Sequence, residues 1–197
     1  MDNREVFNKV YLTNEWGQDS GTGSLPFNAK EYINYLNGFI KFYNVKTILD
    51  LGSGDTKILR SLDLKSIDSY KCIEVSDHAI KTYYGKLPKY VEVINDDIVT
   101  CEYPQVDLVL IKDVLQHLDF ESIQIVMEKI FKSCKYALIT NDIPSTTKNI
   151  NIKNGAYRGL NLKTEPFLYT DLQIVKTYKS DFEEKMVYLY RGTNEAL

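Results

Sequence analysis

Two short patterns in this chain have the residue types and spacing to do chemistry. The first is IKDVLQHL, Ile111 to Leu118, with Asp113 and His117 four residues apart. If the turn is helical, that spacing puts both side chains on one face. A carboxylate beside an imidazole fixes its tautomer and raises its basicity. Such a pair could take a proton from a hydroxyl, a poor nucleophile at neutral pH, and assistance of this kind typically gives about 10²–10⁴-fold. His117 is the candidate base, and Asp113 orients it or contacts the substrate. The second pattern is ILDLGSGDTKIL, Ile48 to Leu59, which sets Asp50, Gly52 and Gly54 at the end of an apolar run. Glycines there let the backbone turn sharply and let a ligand come close.

An acid, Glu74, follows Gly54 by twenty residues. At the end of a second strand it would accept hydrogen bonds from both hydroxyls of a ribose. Two features argue against a pyrophosphate ligand. Lys57 stands at the third glycine position of the dinucleotide fingerprint, and Asp50 and Asp55 flank the loop with negative charge. Carboxylates suit a ligand bearing an ammonium and a sulfonium, and S-adenosylmethionine is such a ligand. The phosphate-cradling GxxxxGK[ST] pattern is absent.

The elements that must hold these residues follow from periodicity. Tyr32, Leu36, Phe39, Ile40 and Tyr43 recur at helical spacing, which predicts a helix over 28–43. Short apolar runs at 45–51, 67–75, 90–94, 106–111 and 136–140 read as strands. Between the last two lies a helix with the apolar face Ile123, Val126, Met127, Ile130 and Phe131, and Asp119 is its candidate N-cap. Strands alternating with helices imply a mainly parallel sheet. LQIVKTY (172–178) and KMVYLYR (185–191) are too close to hold a helix between them, so they form an antiparallel hairpin at the sheet edge. Asn14 to Ser24 and Ser145 to Thr170 read as loops, the second long enough to expect a role in function.

Composition narrows the classes. At 197 residues the chain suits one domain, with 1–44 as an N-terminal loop and helix cap and 145–170 as a loop over the acceptor. The net charge of -3 lacks the basic excess of a nucleic-acid binder. No run of about 18 apolar residues predicts a membrane span. Three scattered cysteines, Cys72, Cys101 and Cys134, fit neither a disulfide framework nor a zinc site, and a cytoplasmic setting is the plain expectation.

On these motifs the chain resembles the class I S-adenosylmethionine-dependent methyltransferases over most of its length. LDLGSGD looks like the family's cofactor loop, and IEVSDHAI like its second motif, with Glu74 as the ribose-binding acid. NDDIV looks like the third, with Asp97 at the adenine amino group beside the Ile98 backbone. The resemblance implies a Rossmann-like α/β fold, a seven-stranded mainly parallel sheet with an antiparallel C-terminal hairpin. It also implies S-adenosylmethionine as cofactor. Lys112 is a further candidate cofactor contact, and Trp16 with Gly17 could close over the cofactor, although a tryptophan in a loop equally suits packing. NEWGQDSGTGS, KDVLQHL and YRGLNLKTEPF occur in the same order in a subgroup of short methyltransferases often associated with glycan biosynthesis. Two positions depart from the pattern. Ser53 stands where cysteine or alanine is common, and Asn141-Asp142 stands where neutral residues are more frequent.

The resulting expectation is O-methyl transfer to a small-molecule or glycan acceptor, a sugar such as rhamnose being the narrowest form, with no nucleic acid, membrane or metal. Arg158, Asn161, Asp142 and Tyr157 would meet the acceptor, the alternative for Arg158 being that it pairs with a local acid and pins the loop. Three alternatives stay open. They are transfer to an amine, a non-catalytic cofactor-binding subunit, and a Mg²⁺ site at Asp113 and Asn141-Asp142 like that of catechol-type methyltransferases.

Overall fold

Val106–Lys112, VDLVLIK, is apolar at nearly every position, which suits a strand covered on both faces. It is the middle strand of a seven-stranded sheet in the computed structural model, which describes residues 2–17, 19–85, 87–180 and 183–192. The strands are β1 (Thr47–Leu51), β2 (Ser69–Ile73), β3 (Val91–Ile94), β4 (Val106–Lys112), β5 (Cys134–Asp142), β6 (Gln173–Ser180) and β7 (Glu183–Arg191). Their order is β3-β2-β1-β4-β5-β7-β6. The first five pair in parallel, while β7 runs antiparallel to β5 and β6. The chain runs outward from β1 to β3 and returns to β4 beside β1. That reversal opens a crevice at the carboxyl ends of β1 and β4, where open α/β sheets bind ligands.

Both faces of the sheet are covered. Leu49, Leu51, Val109 and Ile111 pack on one side against Ile123, Val126, Met127 and Ile130 of helix α5 (Phe120–Ser133). Ile48, Leu108 and Leu110 pack on the other against Tyr32, Leu36, Phe39 and Ile40 of α2 (Lys30–Phe42). Asp119 caps α5 as expected, its Oδ1 accepting from the Ser122 N–H at 2.8 Å.

Three elements differ from the sequence reading. The hairpin strands are longer than expected, and the turn between them lies outside the described residues. A helix α1 (Asn3–Thr13) precedes the expected loop, capped by Asp2. Only Phe7 and Val10 of α1 are buried, too narrow a stripe to register as a helical period. It lies against α4 (Asp77–Tyr83), and Asn8 Oδ1 accepts from Ser76 Oγ at 2.9 Å and from the His78 N–H at 3.1 Å. The 145–170 stretch is irregular as expected, but Leu160 and Leu162 are fully buried, so it is a packed segment of the fold. Among the described residues no helix is long and apolar enough to cross a membrane.

Replacing the α5 cap, Asp119→Ala, should lower the unfolding free energy by about 1 kcal/mol, read as a shift of the urea midpoint at unchanged slope.

Candidate functional site

The crevice is a cleft open to solvent on one side. Ten predicted residues line it together: Trp16, Asp50, Gly52, Gly54, Glu74, Asp97, Ile98, Lys112, Asp113 and His117. The floor is the glycine loop after β1. Gly52 and Gly54 have φ of 69° and 57°, a region that favours glycine. A Cβ on Gly52 would come within 2.6 Å of Val114 Cγ2, so the loop also needs the missing side chain.

The acids are held in different ways. Glu74, at the end of β2, accepts the Gly54 N–H at 3.0 Å and the Ser76 N–H at 2.8 Å. Burial raises its pKa, and those N–H groups oppose the rise. Asp97 accepts from Asn3 Nδ2 and from the Val99 N–H, each at 2.8 Å. Asp50 accepts only the Tyr70 hydroxyl, at 2.8 Å, with no bonded cation among the described residues. Burial pushes its carboxyl up to about 7, against the Tyr70 bond, with Glu74 adding to the rise.

The Asn14–Ser24 segment roofs the cleft. Asp19 bridges Lys57 Nζ at 2.6 Å and Tyr83 Oη at 2.6 Å, while Asp55 accepts from Ser24 Oγ at 2.7 Å. Trp16 packs against His117 with ring centroids 4.6 Å apart and the ring planes tilted by 35°.

Asp113 and His117 do not form the expected pair. The chain turns at Asp113 with φ of 58° and enters a 3₁₀ turn, Leu115–His117. Three residues per turn carries His117 off the face that i,i+4 spacing would give in an α-helix. The Ala156 carbonyl takes the imidazole instead, 3.0 Å from Nδ1. That contact makes Nδ1 the protonated nitrogen and leaves the Nε2 lone pair free. Burial pushes the imidazole down to about 4, so it is neutral at physiological pH.

Asp113 instead lies between two lysines, bonded through Oδ2 to Lys112 and through Oδ1 to Lys185, the latter at 3.0 Å. Lys185 was not expected. It sits opposite Asp142 in the β5–β7 register and pairs with it. In the sequence it is the lysine that opens the run KMVYLYR. Only the pairing with β5 reveals its position.

Of the acceptor contacts expected outside the cleft, Arg158, Asn161 and Asp142 are engaged within the fold. Arg158 is buried, and its guanidinium donates to the carbonyls of Leu115, Leu118 and Ile150 at 3.0, 2.7 and 3.2 Å. It pins the loop, though by backbone oxygens and not by an acid. Asn161 Oδ1 accepts from the Lys163 N–H and Tyr188 Oη, so its amide oxygen is engaged within the fold. Asp142 is buried with Lys185, Gln116 Nε2 and Tyr157 Oη. Tyr157 keeps an exposed ring 5.8 Å from His117. Among the described residues no group of three His, Cys, Asp or Glu side chains could hold a metal ion. Between Asp113 and Asp142 lies the Lys185 ammonium.

No family model and no curated protein matches the sequence. Solved structures do match. The N-methyltransferase NodS from Bradyrhizobium japonicum WM9, in complex with S-adenosyl-L-homocysteine, is 16% identical with a TM-score of 0.71, over 93% of this chain and 98% of that one. Magnesium protoporphyrin IX methyltransferase (ChlM) from Synechocystis PCC 6803, with bound S-adenosylhomocysteine, is 9% identical with a TM-score of 0.63, over 86% of each chain. The mitomycin 7-O-methyltransferase MmcR is 14% identical with a TM-score of 0.59, over 77% of this chain and 50% of that one. This chain therefore has the Rossmann-like methyltransferase fold.

Two outcomes are expected from the site's electrostatics. Arg158→Met should lower stability by about 2–4 kcal/mol in urea unfolding, because three carbonyls lose their donor. Asp50 has a raised folded pKa, so the stability it permits below about pH 4 is lost as pH rises through about 7. Asp50→Asn should therefore stabilise the ligand-free protein by about 3–4 kcal/mol at pH 8 and by about 1–2 kcal/mol at pH 5.

Proposed function

We propose that this chain transfers a methyl group from S-adenosylmethionine to a hydroxyl oxygen of a small polar acceptor, a sugar such as rhamnose in a glycan being the narrowest form. One observation carries the reading. Asp50, Glu74 and Asp97 line a single cleft, at whose edge Asp113 and His117 present a carboxylate and a neutral imidazole. The cleft residues fit the cofactor. Asp50 has a hydroxyl partner but no bonded cation, and a cationic ligand would relieve the cost of its charge. Glu74, fixed by two backbone N–H groups, keeps lone pairs for ribose hydroxyls. Asp97 and the Ile98 backbone suit an adenine amino group.

When bound, S-adenosylmethionine supplies an electrophilic methyl group on a cationic sulfur and leaves as the neutral thioether S-adenosylhomocysteine. His117 Nε2 takes the acceptor's proton as the oxygen–carbon bond forms and the carbon–sulfur pair stays on sulfur. Trp16 lies against the imidazole, which is buried. Alignment of the two reactants in the cleft supplies much of the rate.

A second reading, transfer to an amine nitrogen, is favoured by the same imidazole. Held down to about 4, His117 is a weak base, and a neutral amine needs little help with its proton.

Calorimetric titration tests the cofactor. Wild type should bind S-adenosylmethionine and S-adenosylhomocysteine but not NAD, and Glu74→Ala should lose both. No binding of either sulfur ligand sinks the reading. Because Asp50 must shed a proton, affinity should fall about tenfold between pH 8 and pH 6, a dependence that Asp50→Asn lacks. A panel of sugars and amines with methyl-labelled cofactor then separates the acceptors. With a hydroxyl acceptor His117→Ala should cost about 10²-fold or more in kcat, and with an amine acceptor little.

A further inference from the structure

At the acceptor end of the cleft the methyl-transfer reading can be taken one step further, and the step rests on it. We propose that Lys185 is a positioning residue for the methyl acceptor. With Lys112 it grips the Asp113 carboxylate from two sides, so that Asp113 accepts a hydrogen bond from a second O–H or N–H of the acceptor, beside the one whose proton goes to His117.

Asp113 has a left-handed backbone at φ 58°, a conformation that costs a non-glycine residue on the order of 1–3 kcal/mol and persists only where the surroundings enforce it. Here they do. Its N–H donates to the Thr140 carbonyl at 2.9 Å, Lys185 Nζ donates to Oδ1 at 3.0 Å, and Lys112 donates to Oδ2. Lys185 is 3% exposed, and a buried ammonium is costly unless paired. Asp142 alone neutralises it, and Asp142 is fully engaged, with Gln116 Nε2 at 2.9 Å and Tyr157 Oη at 3.0 Å besides Lys185. Of the two acids, only Asp113 lines the cleft.

The roof fits the same purpose. Lys112 Nζ also donates to the Gly23 carbonyl at 3.0 Å, and a Cβ on Gly23 would come within 2.8 Å of Asp113 Oδ2 and 3.2 Å of Lys185 Nζ. Only glycine lets the segment close this tightly over the carboxylate. The groups that act on Asp113 come from every neighbouring element: Lys112 on β4, Lys185 on β7, His117 in the 3₁₀ turn, Tyr32 on α2, Tyr178 on β6 and Tyr157 in the 145–170 segment. Burial raises the Asp113 pKa, and the two ammonium groups more than offset it, holding the carboxyl below its usual range.

The test is ¹³C NMR of aspartate carboxyls in the full chain with S-adenosylhomocysteine, the Asp113 signal being assigned with Asp113→Asn. Lys185→Met should move the Asp113 titration up by about one pH unit or more, and Lys185→Arg should restore most of it. Methyl α-L-rhamnoside and methylammonium serve as hydroxyl and amine probes. One of them should shift the wild-type Asp113 signal, with the response lost in Lys185→Met. S-adenosylhomocysteine affinity should change less than about twofold, since Lys185 does not line the cleft. An unmoved Asp113 titration in Lys185→Met overturns the proposal, and so does a wild-type Asp113 signal silent to both probes. A collapse of S-adenosylhomocysteine binding in Lys185→Met also overturns it, by making Lys185 part of the cofactor site. Failure of wild type to bind S-adenosylhomocysteine overturns the methyl-transfer reading itself, a result separate from a silent Asp113.

Discussion

Carboxylates converge where the parallel strands end, and the rest of the structure is arranged around keeping them there. Asp50, Glu74, Asp97 and Asp113 line one cleft in a setting where each negative charge raises the cost of the next. Each is supported by a different means. Glu74 takes backbone N–H groups of the glycine loop and of the approach to α4. Asp97 takes an amide from α1. Asp113 takes two ammonium groups. Asp50 has a tyrosine hydroxyl and remains the least compensated. A cleft of this kind is poised for a cation and resists a phosphate.

That arrangement explains why segments outside the sheet are ordered against it. The N-terminal helix contributes Asn3 to Asp97 and aligns Phe7 and Tyr11 along the cleft. The 145–170 segment holds the imidazole through the Ala156 carbonyl and anchors itself with Arg158 on the same 3₁₀ turn. Asn154 donates to Asn3 at 2.8 Å, so the two segments are tied together at the cleft's edge. Irregular backbone is tolerated here because its polar groups find partners within the fold.

Much of this was legible in the sequence. Strands buried on both faces announce themselves as continuous apolar runs, and an acid or glycine directly after such a run must sit at the carboxyl edge. That is why Asp50, Gly52, Glu74 and Asp113 were placed correctly from spacing alone. The Asp113–His117 pair failed because spacing of four presumes an α-helical turn, and the left-handed backbone at Asp113 breaks that presumption. Lys185 was invisible because a lysine at the start of a strand reads as exposed, and only its register against β5 sets it opposite Asp142. Arg158 and Asn161 looked like ligand-binding groups because polar residues in a long loop have no assigned partners until the loop is folded. The first helix escaped because two buried residues in eleven do not make a period.

Trp16 is the single tryptophan of the chain, and it rests on an imidazole that faces the same cleft. Indole emission responds to the charge and to the nearness of a neighbouring imidazole. The whole ultraviolet fluorescence of the tryptophan class therefore originates at the one place where cofactor, acceptor and candidate base would meet. The molecule carries its own optical gauge of cleft occupancy, with no second emitter of that kind to subtract.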